Sequence, residues 1–504
     1  MIFNNISTKF KGKSLCVNKK LNTFAVGNYT FGIMIGRKKE RELLLSLLES
    51  KQSEFVAVYG RRRVGKTFLI RETFNYNFAF QHTGILDAPL GEQLSEFRES
   101  LYDAGLEKSP LPENWSEAFR LLKKLIQKQG EGKKVIFIDE LPWLDTVRSN
   151  FIRALDHFWN GWATTRKDII LIVCGSATSW IMENIVMNYG GLHNRLTRQI
   201  HLQPFTLKEC EEYCEFLNLG FVRKQVLEGY MVMGGIPYYW SFMRQGQSLS
   251  QNIDRMFFSE DGELVHEFDA LYASLFRNPK IHISIIEALA RKKSGLLRNE
   301  IIEFSHCDDN DRLSKALKEL EQCSFIRRYT FIGKKKKDTV YQLTDNFTLF
   351  YYNFMLQNVN GDNYFWTAQA HTALHDSWAG LAFERVCLLH LSEIKKSLGF
   401  SAVVSTAHSW RYIPKTNDEK GVQIDLLIDR NDDVINLCEM KYAQDKYVIS
   451  AEEYARLRRR VSVFKEHTKT RKAVFLTFIT TYGLSSGGYS GEIHSALTMD
   501  GLFC

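Results

Sequence analysis

The sequence predicts an α/β protein built in several parts and led by a parallel sheet, and three stretches predict it. "EFVAVYGRRRVGKTFLIRETF" is an apolar β-rich run, a Gly-rich turn and a helix start. "KKVIFIDELPWL" is a short apolar strand ending in two acids, and "DIILIVCGSATSW" is a third apolar strand ending in small polar residues. Short continuous apolar runs between helical patterns are what strands buried on both faces of a parallel sheet look like. At 504 residues the chain exceeds a single comfortable core, so three or four domains are expected.

The first stretch carries the most specific chemistry. Gly60, Arg61, Arg62, Arg63, Val64, Gly65, Lys66 and Thr67 fit the G-x-x-x-x-G-K-[ST] pattern in the strand–loop–helix context that it requires. Glycines let the backbone curl so that N–H groups face phosphate oxygens, and the helix N-terminus adds positive potential. Lys66 is expected on the β- and γ-phosphates of ATP, and Thr67 on Mg²⁺. The second stretch ends in Asp139 and Glu140, about 70 residues downstream. A carboxylate at that strand edge holds the Mg²⁺ through water, and Glu140 polarises the attacking water. At the end of the third strand, Ser176 or Thr178 is placed beside the γ-phosphate, although a capping hydroxyl at a polar strand end reads the same way. Arg195 or Arg198 in "GLHNRLTRQIHLQPF" is a candidate arginine finger, and a surface ion pair is the competing reading.

Residues 205–275 alternate helical patterns with short breaks, as an α-helical lid would. "IHISIIEALARKKSGLLRNEI", "DDNDRLSKALKELEQCSFI" and "RRYTFIGKKKKDTVYQLT" then read as helix, helix, Asp-capped helix and a hairpin with a basic tip. That is a winged-helix pattern, with the last long helix as the recognition helix and Lys334 to Lys337 placed for phosphates. A solvated lysine run at a hairpin tip is the plainer alternative. "YQLTDNFTLFYYNFM" is aromatic-rich and is expected to pack the wing onto the C-terminal domain.

"GVQIDLLIDRNDDVINLCEMKY" reads as two strands and a turn. Alternation puts Ile424, Leu426 and Ile428 on one face and Asp425 on the other, while Ile435, Leu437, Glu439 and Lys441 share a face. Asp425 and Glu439 become cross-strand neighbours if Asn431, Asp432 and Asp433 form a three-residue turn. Two carboxylates so placed suit Mg²⁺, with Lys441 alongside for a charged transition state. Glu384, among apolar neighbours in the helix "WAGLAFERVCLLHL", is a further metal-shell candidate. Charges on a wet hairpin face are the ordinary alternative.

"MIGRKKERELLLSLL", "YGRRRVGKTFLI", "VIFIDELPWL", "CGSATSWIM", "HNRLTRQIHLQPF" and "GGIPYYW", in this order, resemble the archaeal-type AAA+ ATPases of archaea and bacteria, which belong with the STAND class. The resemblance runs from about residue 34 to the C-terminus and implies that Pro237 packs near the nucleotide from the lid. Helix, hairpin, helix and strand in the last part resemble the PD-(D/E)xK nuclease fold, which implies a restriction-endonuclease-like domain with Glu384, Asp425, Glu439 and Lys441 as its site. Gln423 departs from that pattern, where relatives carry a Glu two residues before the Asp.

The expected organisation is an extension or disordered tail over 1–33, a P-loop domain over 34–204, a lid over 205–275, a winged helix over 276–356 and a nuclease-like domain over 357–504. The net charge of +8 resides in residues 1–39, which hold eight Lys or Arg and no acid, so nucleic-acid contact must rest on local patches. Nine scattered cysteines without a paired framework point to a reducing, cytoplasmic setting, and no apolar run reaches the roughly 18–20 residues of a membrane span. The function expected is an ATPase, with ATP and Mg²⁺ as cofactors, that couples nucleotide state to nucleic-acid binding or cleavage. The alternative is an ATP switch whose C-terminal parts bind protein partners, with a homo-oligomer as a further option.

Overall fold

The computed structural model describes residues 34–504 except 188–191, 193, 277, 293, 331–338, 371, 413 and 415–420. The extension over 1–33 and the lysines 334–337 lie outside the described residues.

The first sheet contains β1 (Glu54–Tyr59), β2 (Phe80–Thr83), β3 (Lys134–Asp139), β4 (Ile169–Gly175) and β5 (Arg198–His201). All are parallel, in the order β2-β3-β4-β1-β5. Both faces are covered. Phe55 and Ala57 of β1 belong to one buried cluster and Val56 and Val58 to another, as period 2 demands. The order puts β4 between β1 and β3, so the ends of all three strands meet at one edge, where the loop lies.

Five helices follow between Leu207 and Leu275. The first is fixed by a capping box: Thr206 Oγ1 accepts from the Glu209 N–H, and Glu209 Oε2 accepts from the Thr206 N–H. Helices Pro279–Ala290, Arg298–Ser305 and Asp311–Gln322 then pack with the antiparallel strands β6 (Leu296–Leu297), β7 (Ile326–Thr330) and β8 (Thr339–Leu343). The helix 311–322, expected as a recognition helix, is engaged within the chain. Lys318 pairs with Glu183 at 2.9 Å, and Ala316, Arg312 and Lys315 line a cavity of about 600 Å³ with Trp143 and Trp180.

The last sheet contains β9 (Ser405–Tyr412), β10 (Val422–Arg430), β11 (Val434–Lys441), β12 (Ala473–Thr480) and β13 (Ser495–Thr498), in the order β13-β12-β11-β10-β9. The hairpin pairs Asp429 with Ile435 and turns through residues 431–433, with Asp433 at φ 62°. The three-residue turn is present, but the expected alternation is not kept. Ile424 pairs with Trp410 and Leu427 with His408, leaving Asp425 and Leu426 opposite Ser409 in a bulge. The extra residue inverts the parity: Ile424 and Leu427 share one core, whereas Leu426 and Ile428 face the other.

Helix Ala373–Leu389 covers one face of this sheet and Ala451–Thr468 the other. One continuous core joins the parallel sheet, the helices after it, the middle module and the 373–389 helix. Among the described residues no helix is long and apolar enough to cross a membrane.

Candidate functional site

The loop after β1 is shaped by its glycines and closed by its lysine. Gly60 has φ 145°, and a Cβ there would stand 2.3 Å from the Leu202 carbonyl oxygen, so no other residue fits. Lys66 is buried at the helix start. Its Nζ donates to the Gly60 and Arg61 carbonyls at 3.0 Å each and to Ser176 Oγ at 3.2 Å. Burial pushes the Lys66 ammonium below the usual lysine range, and the charges of Glu140 and Asp139 oppose that shift.

Sequence distance vanishes at this edge. Thr67 Oγ1 donates to Asp139 Oδ2 at 2.7 Å, while Asp139 Oδ1 accepts from the Glu140 N–H at 2.9 Å. Glu140 adopts φ 46°, a left-handed conformation that non-glycine residues enter at a cost. Ser176 fixes its carboxylate, donating from N to Oε2 at 3.1 Å and from Oγ to Oε1 at 2.8 Å. A hydroxyl and a carboxylate within hydrogen-bond reach are hard oxygen donors, and Thr67 with Asp139 fits Mg²⁺ beside a nucleotide.

The variable loop residues reach outward. Arg62 Nη1 donates to the Ala270 carbonyl at 3.2 Å, and Arg63 pairs with Glu267 at 2.6 Å. The Arg63 guanidinium also lies 4.2 Å from the Tyr238 ring, and Tyr239 donates to Glu267 Oε1 at 2.7 Å. Pro237, which opens the helix Pro237–Trp240, therefore belongs to an element that touches the loop through Tyr238 and shares Glu267 with it through Tyr239. Val64 is buried, and its carbonyl accepts from Arg37 Nη2 at 3.2 Å. The phosphate-loop motif does not point to Arg37, although it sits in the nearby stretch "IGRKKE". Arg61 pairs with Asp345 just past β8, another partner that no local pattern announces. Thr178 is buried at the start of its helix, so the Lys66 and Glu140 contacts fall to Ser176. Arg195 and Arg198 are exposed, and the structure brings neither side chain to the loop among the described residues.

At the C-terminal sheet the expected residues gather in part. Glu384, half-buried on the 373–389 helix, is pushed up to about 7 by burial and by the charges of Asp425 and Glu439. Lys441 pairs with Glu439 at 2.9 Å and with Glu453 at 3.5 Å. Arg460, not anticipated, pairs with Glu439 at 2.5 Å. Glu453, Arg456 and Arg460 are spaced three and four apart on the 451–468 helix, so one face meets the end of β11. Asp425 sits in the bulge and accepts from Gln423 Nε2 at 2.7 Å.

The ladder between β10 and β11 runs to Leu426–Cys438, one step short of Asp425 and Glu439. Three carboxylates are chemically suited to Mg²⁺, but Glu439 is committed to two cations. Among the described residues no group of three His, Cys, Asp or Glu is placed to hold a metal ion. As arranged, the cluster does not fit the metal expected there.

Residues 34–241 match the model of an ATPase domain predominantly from Archaea. An uncharacterised protein of Methanocaldococcus jannaschii is 28% identical over 376 residues, which cover 72% of this chain and 78% of that protein. Among solved structures, the Walker-type ATPase of Pyrococcus abyssi aligns with a TM-score of 0.45 at 18% identity, over 63% of this chain and 95% of its own. The ORC2 protein of Aeropyrum pernix aligns with a TM-score of 0.38 at 16% identity, over 63% and 91%. The region 34–241 is an ATPase domain, and the chain is an ATP hydrolase.

Proposed function

We propose that ATP hydrolysed at the 60–67 loop drives a nucleic-acid-directed task of the C-terminal sheet module, with the helices and strands of 279–343 serving as a winged helix between them. At the loop, Lys66 and the backbone N–H groups bind the phosphates. Glu140 polarises the attacking water, and Ser176 holds its carboxylate in one orientation. Thr67 and Asp139 would hold Mg²⁺, which neutralises charge on the transferring phosphoryl group.

The observation that carries the nucleic-acid reading is the gathering of Glu384, Asp425, Glu439 and Lys441 at one end of β10 and β11, flanked by Arg456 and Arg460. Partly buried carboxylates that repel one another, next to cations able to meet nucleic-acid phosphates, support a functional site rather than a packing solution. The test incubates the full chain with duplex and single-stranded DNA and RNA, with Mg²⁺, with and without ATP. Cleavage that Lys441→Ala abolishes supports a nuclease, and absence of cleavage on every substrate sinks it.

The commitment of Glu439 to Lys441 and Arg460 favours a second reading, in which the module only binds. ATP then acts as a switch for a protein partner, and neither DNA nor RNA is cut or retained.

A further inference from the structure

Arg61 occupies an unusual position for a residue of a phosphate loop. Its Nη1 pairs with Asp345, and the two side chains are 5% and 4% exposed. Its Nε and Nη2 are also buried, yet they have no hydrogen-bond partner among the described residues. Those two nitrogens form one edge of the guanidinium fork, the edge whose parallel N–H groups match two oxygens of a carboxylate or phosphate. The ring of Phe325, 4.7 Å away, gives the guanidinium a cation–π contact but no oxygen to accept from Nε and Nη2. Buried donors without acceptors are costly, and the oxyanion that this loop receives is a nucleotide phosphate.

Asp345 is itself held firmly. Its Oδ2 accepts from the Thr348 N–H at 2.9 Å and from Thr348 Oγ1 at 2.6 Å, and the next residue, Asn346, donates to the Tyr230 carbonyl at 2.6 Å. Two residues upstream, the Leu343 carbonyl accepts from Arg385 Nε at 3.2 Å. Arg385 is buried and directly follows Glu384 on the 373–389 helix. The segment 343–348 thus touches the phosphate loop at one end and the helix of the carboxylate cluster at the other.

We propose that Asp345 is a positioning residue of the ATP site: it sets Arg61 so that Nε and Nη2 meet the phosphates of the bound nucleotide, and through Leu343 and Arg385 it passes nucleotide occupancy to the 373–389 helix. This rests on the ATP site at 60–67 and is independent of whether the C-terminal module cuts.

The test uses the full chain. In Asp345→Asn the apparent KM for ATP rises about tenfold or more while kcat changes less, because a charged hydrogen bond that orients a binding group is lost. Asp345→Glu recovers part of the affinity. Hydrogen exchange supplies the second readout. In the wild type, a non-hydrolysable ATP analogue slows exchange over both 60–67 and 379–389. In Asp345→Asn at saturating analogue, protection over 60–67 remains and protection over 379–389 is lost. An unchanged KM in Asp345→Asn overturns the proposal, as does a wild-type 379–389 segment indifferent to the analogue while 60–67 is protected. The wild-type arm decides even if the variant does not fold. No protection over 60–67 brings down the ATP site together with the proposal.

Discussion

Ser176 grips Glu140 twice, through its backbone N–H and its hydroxyl, and the same hydroxyl accepts from Lys66. The end of β4 therefore ties Lys66, the proposed phosphate-binding lysine, to Glu140, the carboxylate proposed to address water. Ser176→Ala removes both hydroxyl bonds and keeps the backbone one. Hydrogen bonds to charged groups are worth about 1.5–3 kcal/mol, so kcat for ATP falls roughly ten- to hundredfold. Steady-state turnover measures this, and an undiminished kcat contradicts the role.

Glu384 makes a prediction about pH. Its folded pKa, pushed up to about 7, lies above the ordinary carboxyl value of 4.5, so folding favours the protonated form. The associated stability is complete below 4.5 and is lost as pH rises through 7. Glu384→Gln is then more stable than the wild type above pH 7, by on the order of 1–3 kcal/mol, and nearly equal to it below 4.5. Urea unfolding at pH 4.5 and pH 8 without divalent ions reads the difference. The same gap at both pH values would show that neither burial nor the charges of Asp425 and Glu439 raise the Glu384 carboxyl.

Gly235 tests the joint between the ATPase sheet and the helices after it. A Cβ there would stand 1.9 Å from the Phe205 carbonyl oxygen, and the Phe205 N–H donates to the Gly235 carbonyl at 2.6 Å. Backbone cannot yield as a side-chain tip would, so Gly235→Ala destabilises by about 2 kcal/mol or more. An unchanged midpoint in thermal or denaturant unfolding would refute this packing.

What the sequence discloses depends on how local the cause is. Gly60, Lys66, Thr67, Asp139 and Glu140 were legible because a strand, a turn and a helix start fix their geometry within a few residues, and parallel strands deliver their C-terminal ends to one edge. Asp345 was not. It lies in "YQLTDNFTLF", where the pattern speaks only of packing, and its partner Arg61 is far away in sequence. Arg460 was within reach, since Glu453, Arg456 and Arg460 share a helix face. The bulge at Asp425 leaves no mark in "VQIDLLID", and it alone upsets a parity that the three-residue turn otherwise satisfied. A one-residue insertion is compatible with the same apolar content on both faces, so hydrophobic pattern cannot detect it.

ATP is proposed to be bound and hydrolysed at the 60–67 loop, and Lys66→Ala tests that most directly. The substitution removes the ammonium that spans the loop to Ser176 and leaves the helix start intact. ATP turnover by the purified full chain should fall at least about a hundredfold, the loss of a charged phosphate contact in a preorganised site, with nucleotide binding weakened or lost. A Lys66→Ala chain that hydrolyses ATP at the wild-type rate would contradict this assignment of the loop.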